Sequence, residues 1–366
     1  LELRTIAGGN GASAYDANLQ VDAAYVMVDA EFLPLLRTTF GVRYEDGTQS
    51  VTLRDLYGST PPASPPALEE QYWLPSATAT WNFYEDMQFR IGASQTIGRP
   101  QFRELAPQAY TDPESNRTFI GNPFLTDTEL TNIDARYEWF FARQQYVTAG
   151  AFYKILENPV ESVISAASTG DRQQSFINAP EAVIYGLELE AKKFWEFPEF
   201  GASFIANKRW LVQANYTWSQ SEVRVDANDR VIDPSGSSAL ATYYMNDGDP
   251  LQGQSEHVVN LQLGWEDDTD RSQATLIVNY VSERITARGA GPAGAREPDY
   301  VQEPGVFLDF VYRQDFDYAG REFGLALEAR NLLGTDFDEH QELGNRIRIN
   351  QYDLGTSFSA SLTTRF

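Results

Sequence analysis

Apolar and polar residues alternate along most of this chain. WLVQANYTWSQ puts Trp210, Val212, Ala214, Tyr216 and Trp218 on one side of an extended backbone, with Gln213, Asn215, Thr217 and Ser219 on the other. HVVNLQLGWE divides into His257, Val259, Leu261, Leu263 and Trp265 against Asn260, Gln262, Gly264 and Glu266. The same split runs through VIYGLELEAK, GVFLDFVYR, FGLALEAR and the terminal SFSASLTTRF, where Phe358, Ala360, Leu362, Thr364 and Phe366 share a side. Side chains alternate across a strand, so a period of two with aromatic and β-branched enrichment predicts β-strands. The pattern predicts about thirteen of them, at 18–31, 35–53, 71–84, 86–98, 129–141, 144–157, 177–195, 208–226, 254–267, 271–287, 304–316, 321–332 and 346–366. They are long beside the ~5–6 residues usual in soluble sheets.

The connections alternate in length. Short ones fall at LPL near Pro34, YED near Glu85, ARQ near Arg143, DDTDR and DYAG, with a compact link at 196–207. Long ones span 54–70, 99–128, 158–176, 227–253, 288–303 and 333–345, and carry turn-forming clusters such as STPPASPP, DPSGSS and RGAGPAGARE. Short turns on one rim and long loops on the other predict an all-β, antiparallel transmembrane β-barrel with the long loops extracellular. Neither a long helical period nor a 40-residue blade repeat is present.

The wet side of the strands supports the same fold. Glu188, Glu190, Asp309, Arg313, Glu328 and Arg330 stand there at mid-strand. A cation facing lipid at mid-bilayer costs ~2–4 kcal/mol, which assigns this side to the lumen. Trp81, Phe83, Trp139, Phe141, Trp195, Trp210, Trp265 and Phe366 cluster near the short turns, where an aromatic girdle would lie. Trp210 and Trp218 are eight residues apart, roughly 19 Å of depth in a tilted strand. Backbone groups in hydrocarbon must all be paired, so the last strand is expected to pair with the first and Phe366 to anchor at the periplasmic interface.

Composition narrows the function classes. The 366 residues carry a formal charge of −24, which argues against nucleic-acid binding. There is no cysteine, hence no thiolate chemistry, and with two histidines a His-rich metal site is excluded. No apolar run approaches the ~18–20 residues of a spanning helix, a test to which strand-spanning proteins are blind. No GxSxG, P-loop or HExxH motif occurs, so no enzyme and no cofactor is implied. Asp336, Asp338, Glu339, His340 and Glu342 in TDFDEHQELG could group around a divalent ion, as could Asp226, Asp229 and Asp233, or Asp247 and Asp249; a solvated acidic loop is the plainer reading of each.

Several stretches together resemble one family. They are DAAYVMVDAEF, LRTTFGVRYEDGTQSV, SQTIGRPQFRELAP, GNPFLTDTELTNIDARYEWFF, INAPEAVIYGLELEAKK, QSEHVVNLQLGWE, LEARNLLGTDF and GTSFSASLTTRF, in this order over nearly the whole chain. The set is similar to the carboxyl-terminal barrel of TonB-dependent outer-membrane receptors. The resemblance implies a 22-stranded barrel, of which residues 1–366 supply about thirteen strands as a single, amino-terminally incomplete domain. It also implies a plug domain in the lumen, preceded by the TonB box and absent from this chain. An odd strand count leaves the termini on opposite sides of the membrane, as expected for a piece starting in an extracellular loop around GGNGASAY.

From that resemblance follow the expected partners: the plug domain, the TonB complex, the barrel-assembly machinery reading the terminal Phe366, outer-membrane lipid and lipopolysaccharide, and a scarce nutrient. A ferric siderophore, a cobalamin-like molecule and an oligosaccharide all remain open. The location is the outer membrane of a Gram-negative bacterium. Glu188, Glu190, Asp309, Arg313, Glu328 and Arg330 become candidate plug contacts. Arg99, Arg103, Asp112, Arg117, Tyr243, Tyr244, Asp247, Arg288 and Arg296 are the loop groups suited to a ligand, since Arg forks take anionic chelates and Tyr faces take sugars or catecholates. A passive porin or adhesin barrel is the alternative, and a soluble all-β carbohydrate-binding protein a third reading.

Overall fold

The computed structural model describes residues 14–54, 64–111, 117–166, 172–197, 205, 207–267, 269, 271–292 and 295–365. Asp112 and Phe366 lie outside these. From the amino-terminal side the chain forms β1 (Ala14–Leu33), β2 (Leu36–Arg54), β3 (Leu68–Tyr84) and β4 (Met87–Gly98). A four-residue helix α1 (Phe102–Leu105) and the short strands β5 (Ala109–Thr111) and β6 (Thr118–Ile120) follow. Next come β7 (Thr128–Ala142), β8 (Gln145–Glu157), β9 (Val160–Ala166), β10 (Arg172–Asn178), β11 (Glu181–Glu196) and β12 (Arg209–Arg224). A hairpin, β13 (Arg230–Ile232) and β14 (Ser238–Leu240), precedes one 3₁₀ turn at Ala241–Tyr243. The remainder is β15 (His257–Asp267), β16 (Ser272–Val281), β17 (Arg284–Ala287), β18 (Tyr300–Gln302), β19 (Gly305–Tyr318), β20 (Arg321–Arg330), β21 (Phe337–Glu342), β22 (Arg346–Tyr352) and β23 (Ser357–Arg365).

Thirteen long strands make one antiparallel sheet in the order β1-β2-β3-β4-β7-β8-β11-β12-β15-β16-β19-β20-β23. Each neighbour in the wall is the next long strand in sequence, the meander that alternating short and long connections predict. The short turns are tight hairpins. Ala319 and Gly320 between β19 and β20 sit at φ 54° and 76°, the double positive φ that matches hairpin twist.

Register sorts the side chains into rows. Trp195, Trp210 and Trp265 stand opposite one another across β11, β12 and β15, and the row runs on through Ala274, Tyr312 and Leu327 to Ala360. Trp195 and Trp210 thus stand in one row at the short-turn end of the wall. Closer to the loops, Leu189, Tyr216, Val259, Tyr280 and Val306 make a second row of the same face. The other face carries Glu190, Asn215, Asn260 and Asn279 in line, and beside it Lys192, Gln213 and Gln262. The apolar rows have no facing layer: Leu187, Leu189, Phe358 and Leu362 are all exposed. A wall greasy on one face and wet on the other has no dry interior of its own, as a lipid-embedded sheet requires.

Apolar side chains do pack together above the long-loop rim. Leu156, Val163, Ile177, Val223, Val231, Met245 and Leu251 belong to one buried cluster, and Val51, Leu105, Leu125 and Phe176 to another. The long connections build a crown there: a four-stranded sheet β5-β6-β10-β9, a second one β17-β18-β21-β22, and the β13-β14 hairpin.

Four expectations are corrected. The span 346–366 is two strands: β22 pairs with β21 in the crown, and only β23 joins the wall. Asp353–Thr356 separates them, with Asp353 Oδ1 accepting the Gly355 N–H at 2.6 Å. The span 271–287 breaks at Ser282–Glu283, and Arg284–Ala287 leaves the wall for the crown. The span 177–195 starts as the end of β10, and β11 begins after Pro180, which has no N–H to give to a ladder. Finally, β1 and β23 are the two ends of the sheet and do not pair with each other. With thirteen antiparallel strands these two run in the same direction, so no antiparallel closure is open to them.

Candidate functional site

Two regions hold the polar groups: the wet face of the wall and the crown above it. On the wall, Glu190 accepts the Tyr146 hydroxyl at 2.6 Å and lies 3.4 Å from Arg136 Nη2. Arg136 Nε is 3.0 Å from Glu138, which also accepts from Gln88. Glu188 stands above Gly150 in a shallow recess of about 260 Å³ that Arg136, Glu190 and Asn215 share. Asn260 donates to Asn215 at 2.7 Å. Further round, Asp309 accepts the Asn331 N–H at 2.8 Å, Arg330 pairs with Glu328 at 3.0 Å, and Arg313 is exposed opposite Gln273 and Ala326. All six residues expected on the lumen side therefore share the wet face; Glu188 and Glu190 line one recess, Glu328 and Arg330 form a separate pair, and Asp309 and Arg313 stand apart from both.

In the crown most of the expected ligand groups are tied to the protein itself. Arg288 is fully buried. Its Nε lies 2.6 Å from Glu161 Oε2, Nη1 lies 3.3 Å from Asp299, and Nη2 donates to the Pro250 carbonyl. Arg296 bridges Asp249 and Asp299, each at 2.9 Å, and donates to the Tyr244 carbonyl at 2.6 Å. Arg117 pairs with Glu339, donates to Gln174 at 3.1 Å and lies 4.9 Å over the Tyr300 ring. Arg99 reaches Glu45 at 2.9 Å and Asp127 at 3.9 Å. Tyr244 is buried in the apolar cluster, and burial first, then the nearby Asp233, pushes its phenol up to about 12. Arg103, Tyr243 and Asp247 keep exposed side chains, though Asp247 also accepts the Val225 N–H at 3.2 Å.

The acidic clusters are taken apart by the same geometry. Along β21, Glu339 and His340 are buried at a register irregularity in the pairing with β22, whereas Asp338 is half-buried. Glu339 is held by Arg117 and the Thr286 hydroxyl, and Asp338 by Arg346 at 3.2 Å. Asp233 closes a turn by accepting the Ser235 and Ser237 N–H groups, both at 2.9 Å. Among the described residues no three His, Asp or Glu side chains are grouped as metal ligands.

Sequence reading missed the residues that hold the crown. Asn122, almost fully buried, donates to the Phe176 and Ile232 carbonyls at 2.8 and 2.9 Å and accepts the Phe124 N–H at 3.0 Å, so one amide joins three connections. Glu161, Gln252 and Asp299 are likewise buried or half-buried partners of distant residues. Asp127 is a fourth. Burial raises its carboxyl above the usual range, against the opposing Tyr72 hydroxyl and Arg99. Glu104 in α1 is raised by burial too, while accepting the Gln101 N–H at 2.7 Å.

The sequence of residues 3–332 matches the family model described as TonB dependent receptor-like, beta-barrel. The chain belongs to that family. Its members are outer-membrane receptors of Gram-negative bacteria and are not enzymes. Among solved structures it is similar to the FrpB iron transporter from Neisseria meningitidis, at 10% identity and TM-score 0.56 over 95% of this chain and 46% of that one. It is similar to the ferric citrate transporter FecA in its unliganded form, at 12% identity and TM-score 0.58 over 97% of this chain and 47% of that one. It is also similar to the copper transporter OprC, at 13% identity and TM-score 0.58 over 95% and 48%. At such identities the likeness is one of fold, and the chain spans about half the length of those structures. No curated protein sequence matches it.

Proposed function

We propose that this chain is the wall and part of the extracellular mouth of a TonB-dependent receptor that takes up a scarce nutrient across the outer membrane. The observation that carries this reading is the two-faced wall: apolar rows on one side, and the Glu190, Asn215, Asn260 and Asn279 line on the other. A porin wall would share the two faces; the family match favours the energised receptor. The fold likeness to iron, ferric citrate and copper transporters favours a metal-bearing cargo over an oligosaccharide.

On this reading Glu188 and Glu190, with Arg136 beside Glu190, meet a domain seated in the lumen; Asp309, Arg313, Glu328 and Arg330 are the outlying part of that surface. The cargo meets Arg103, Tyr243 and Asp247, whose side chains are exposed on the crown. The receptor's energy comes from the TonB complex, and lipopolysaccharide surrounds its rim. The test is metal-limited growth and uptake in cells expressing the natural full-length chain, with and without a working TonB complex. Uptake that needs both the chain and TonB is expected; uptake indifferent to TonB points to a passive pore.

A further inference from the structure

Loops at the mouth of a transporter are usually pictured as separate flaps. Here they are not separate. The backbone of β9 meets the residue following β17: Ile164 N–H donates to the Arg288 carbonyl at 2.7 Å, and Arg288 N–H to the Ser162 carbonyl at 2.8 Å. That joins connection 158–176 to connection 282–304. The Gln252 side chain donates to the Thr286 carbonyl at 2.6 Å, and its backbone N–H donates to Glu161 at 3.0 Å, which adds connection 225–256. Arg117 against Glu339, and β18 against β21, add the connections on either side.

At the centre lies a buried charge array. Arg288 and Arg296 alternate with Glu161, Asp299 and Asp249, drawn from three different connections. Glu161 and Arg288 are essentially sealed from solvent. Arg288 meets three carboxylates, whereas Arg288 is the cation paired with Glu161, so withdrawing Arg288 strands a sealed carboxylate in a low-dielectric site.

We infer that these extracellular connections form one cooperative cap, latched by the Glu161–Arg288 pair, so that this part of the mouth is a preformed surface and not a set of loops that close independently on cargo. Cooperative units open together, and their amide exchange reports a shared opening free energy. The inference is independent of the uptake reading, because its test contains no cargo.

The test is amide hydrogen exchange on the natural full-length chain in lipid nanodiscs. In the parent, the amides of Ile164, Gly253 and Arg288 should exchange with one common protection. Arg288→Met, which leaves Glu161 buried without its cation, should raise exchange in all three segments together by at least about a hundredfold, as stranding a buried charge predicts. The amides of Leu261 and Val278 in the wall should not change. Should Arg288→Met fail to assemble, Arg296→Lys, which keeps the charge and loses the fork, should speed the same three segments by a smaller common factor. Three unrelated protections in the parent, or a variant that loosens only its own connection, would overturn the cap.

Discussion

Phe152 lies across Gly186 on the next strand. A Cβ at Gly186 would stand 2.8 Å from the Phe152 ring and 2.3 Å from the Trp218 carbonyl oxygen. The ring covers backbone that any side chain would push away. Overpacking of this kind costs roughly 1–3 kcal/mol. Gly186→Ala should lower the denaturant midpoint of the lipid-reconstituted chain accordingly. Gly150→Ala is the control: its nearest atoms lie at 3.6 Å, ordinary contact distance, and the midpoint should hold.

Leu261 and Asn260 are neighbours on opposite faces of β15. Leu261 sits in the apolar row with Ala214 and Val278, and Asn260 in the wet row with Asn215 and Asn279. Leu261→Arg should impair insertion into vesicles by about 2–4 kcal/mol, and Asn260→Arg by much less. Equal loss in a folding assay by gel shift would count against the assignment of faces.

Asn122 satisfies two carbonyls and one N–H from three connections. Asn122→Ala removes the partner of all three, of which the Phe176 carbonyl is buried, at about 1–3 kcal/mol for each group that finds no water. The crown should become sensitive to limited proteolysis at 227–253 while the strands of the wall stay intact. Unchanged cleavage kinetics would show that the amide is dispensable.

Tyr244 holds its proton up to about 12, whereas an exposed phenol titrates near 10. A folded-state pKa above the unfolded one contributes stability below the unfolded value and loses it as pH rises through the folded one. The crown should therefore weaken from about pH 10 upward. Difference absorbance between the parent and Tyr244→Phe should show one phenol titrating late. A missing residue that titrates with the exposed set would contradict its burial.

The wall was legible in the sequence because its determinant is local. Each strand announces its faces through alternate residues, and the turn clusters mark its ends. The errors fell where a wall pattern ran on into a crown strand. Arg346, Arg348 and Asn350 alternate as well as Ser357, Ser359 and Ser361 do, and only the Asp353–Gly355 turn marks the change of sheet. The crown was not legible because its partners are remote: Arg288 and Glu161 are 127 positions apart, Asn122 and Ile232 are 110 apart. For that reason arginines chosen for a ligand proved to be partners of buried carboxylates. A cation in a loop gives no local sign of which it is.

The central claim is that alternate side chains of one strand meet lipid and water. Residues 1–366 contain no cysteine, so a cysteine placed among them meets no competing thiol within this segment. Leu189, Glu190, Leu261, Asn260, Leu263 and Gln262 should each be replaced by Cys in the natural full-length chain, spin-labelled in bilayers, and tested for collision with oxygen and with a water-soluble nickel chelate. The account predicts oxygen-dominated relaxation at positions 189, 261 and 263 and nickel-dominated relaxation at 190, 260 and 262. Uniform accessibility along the strand, or shielding of both faces from both reagents, would contradict it.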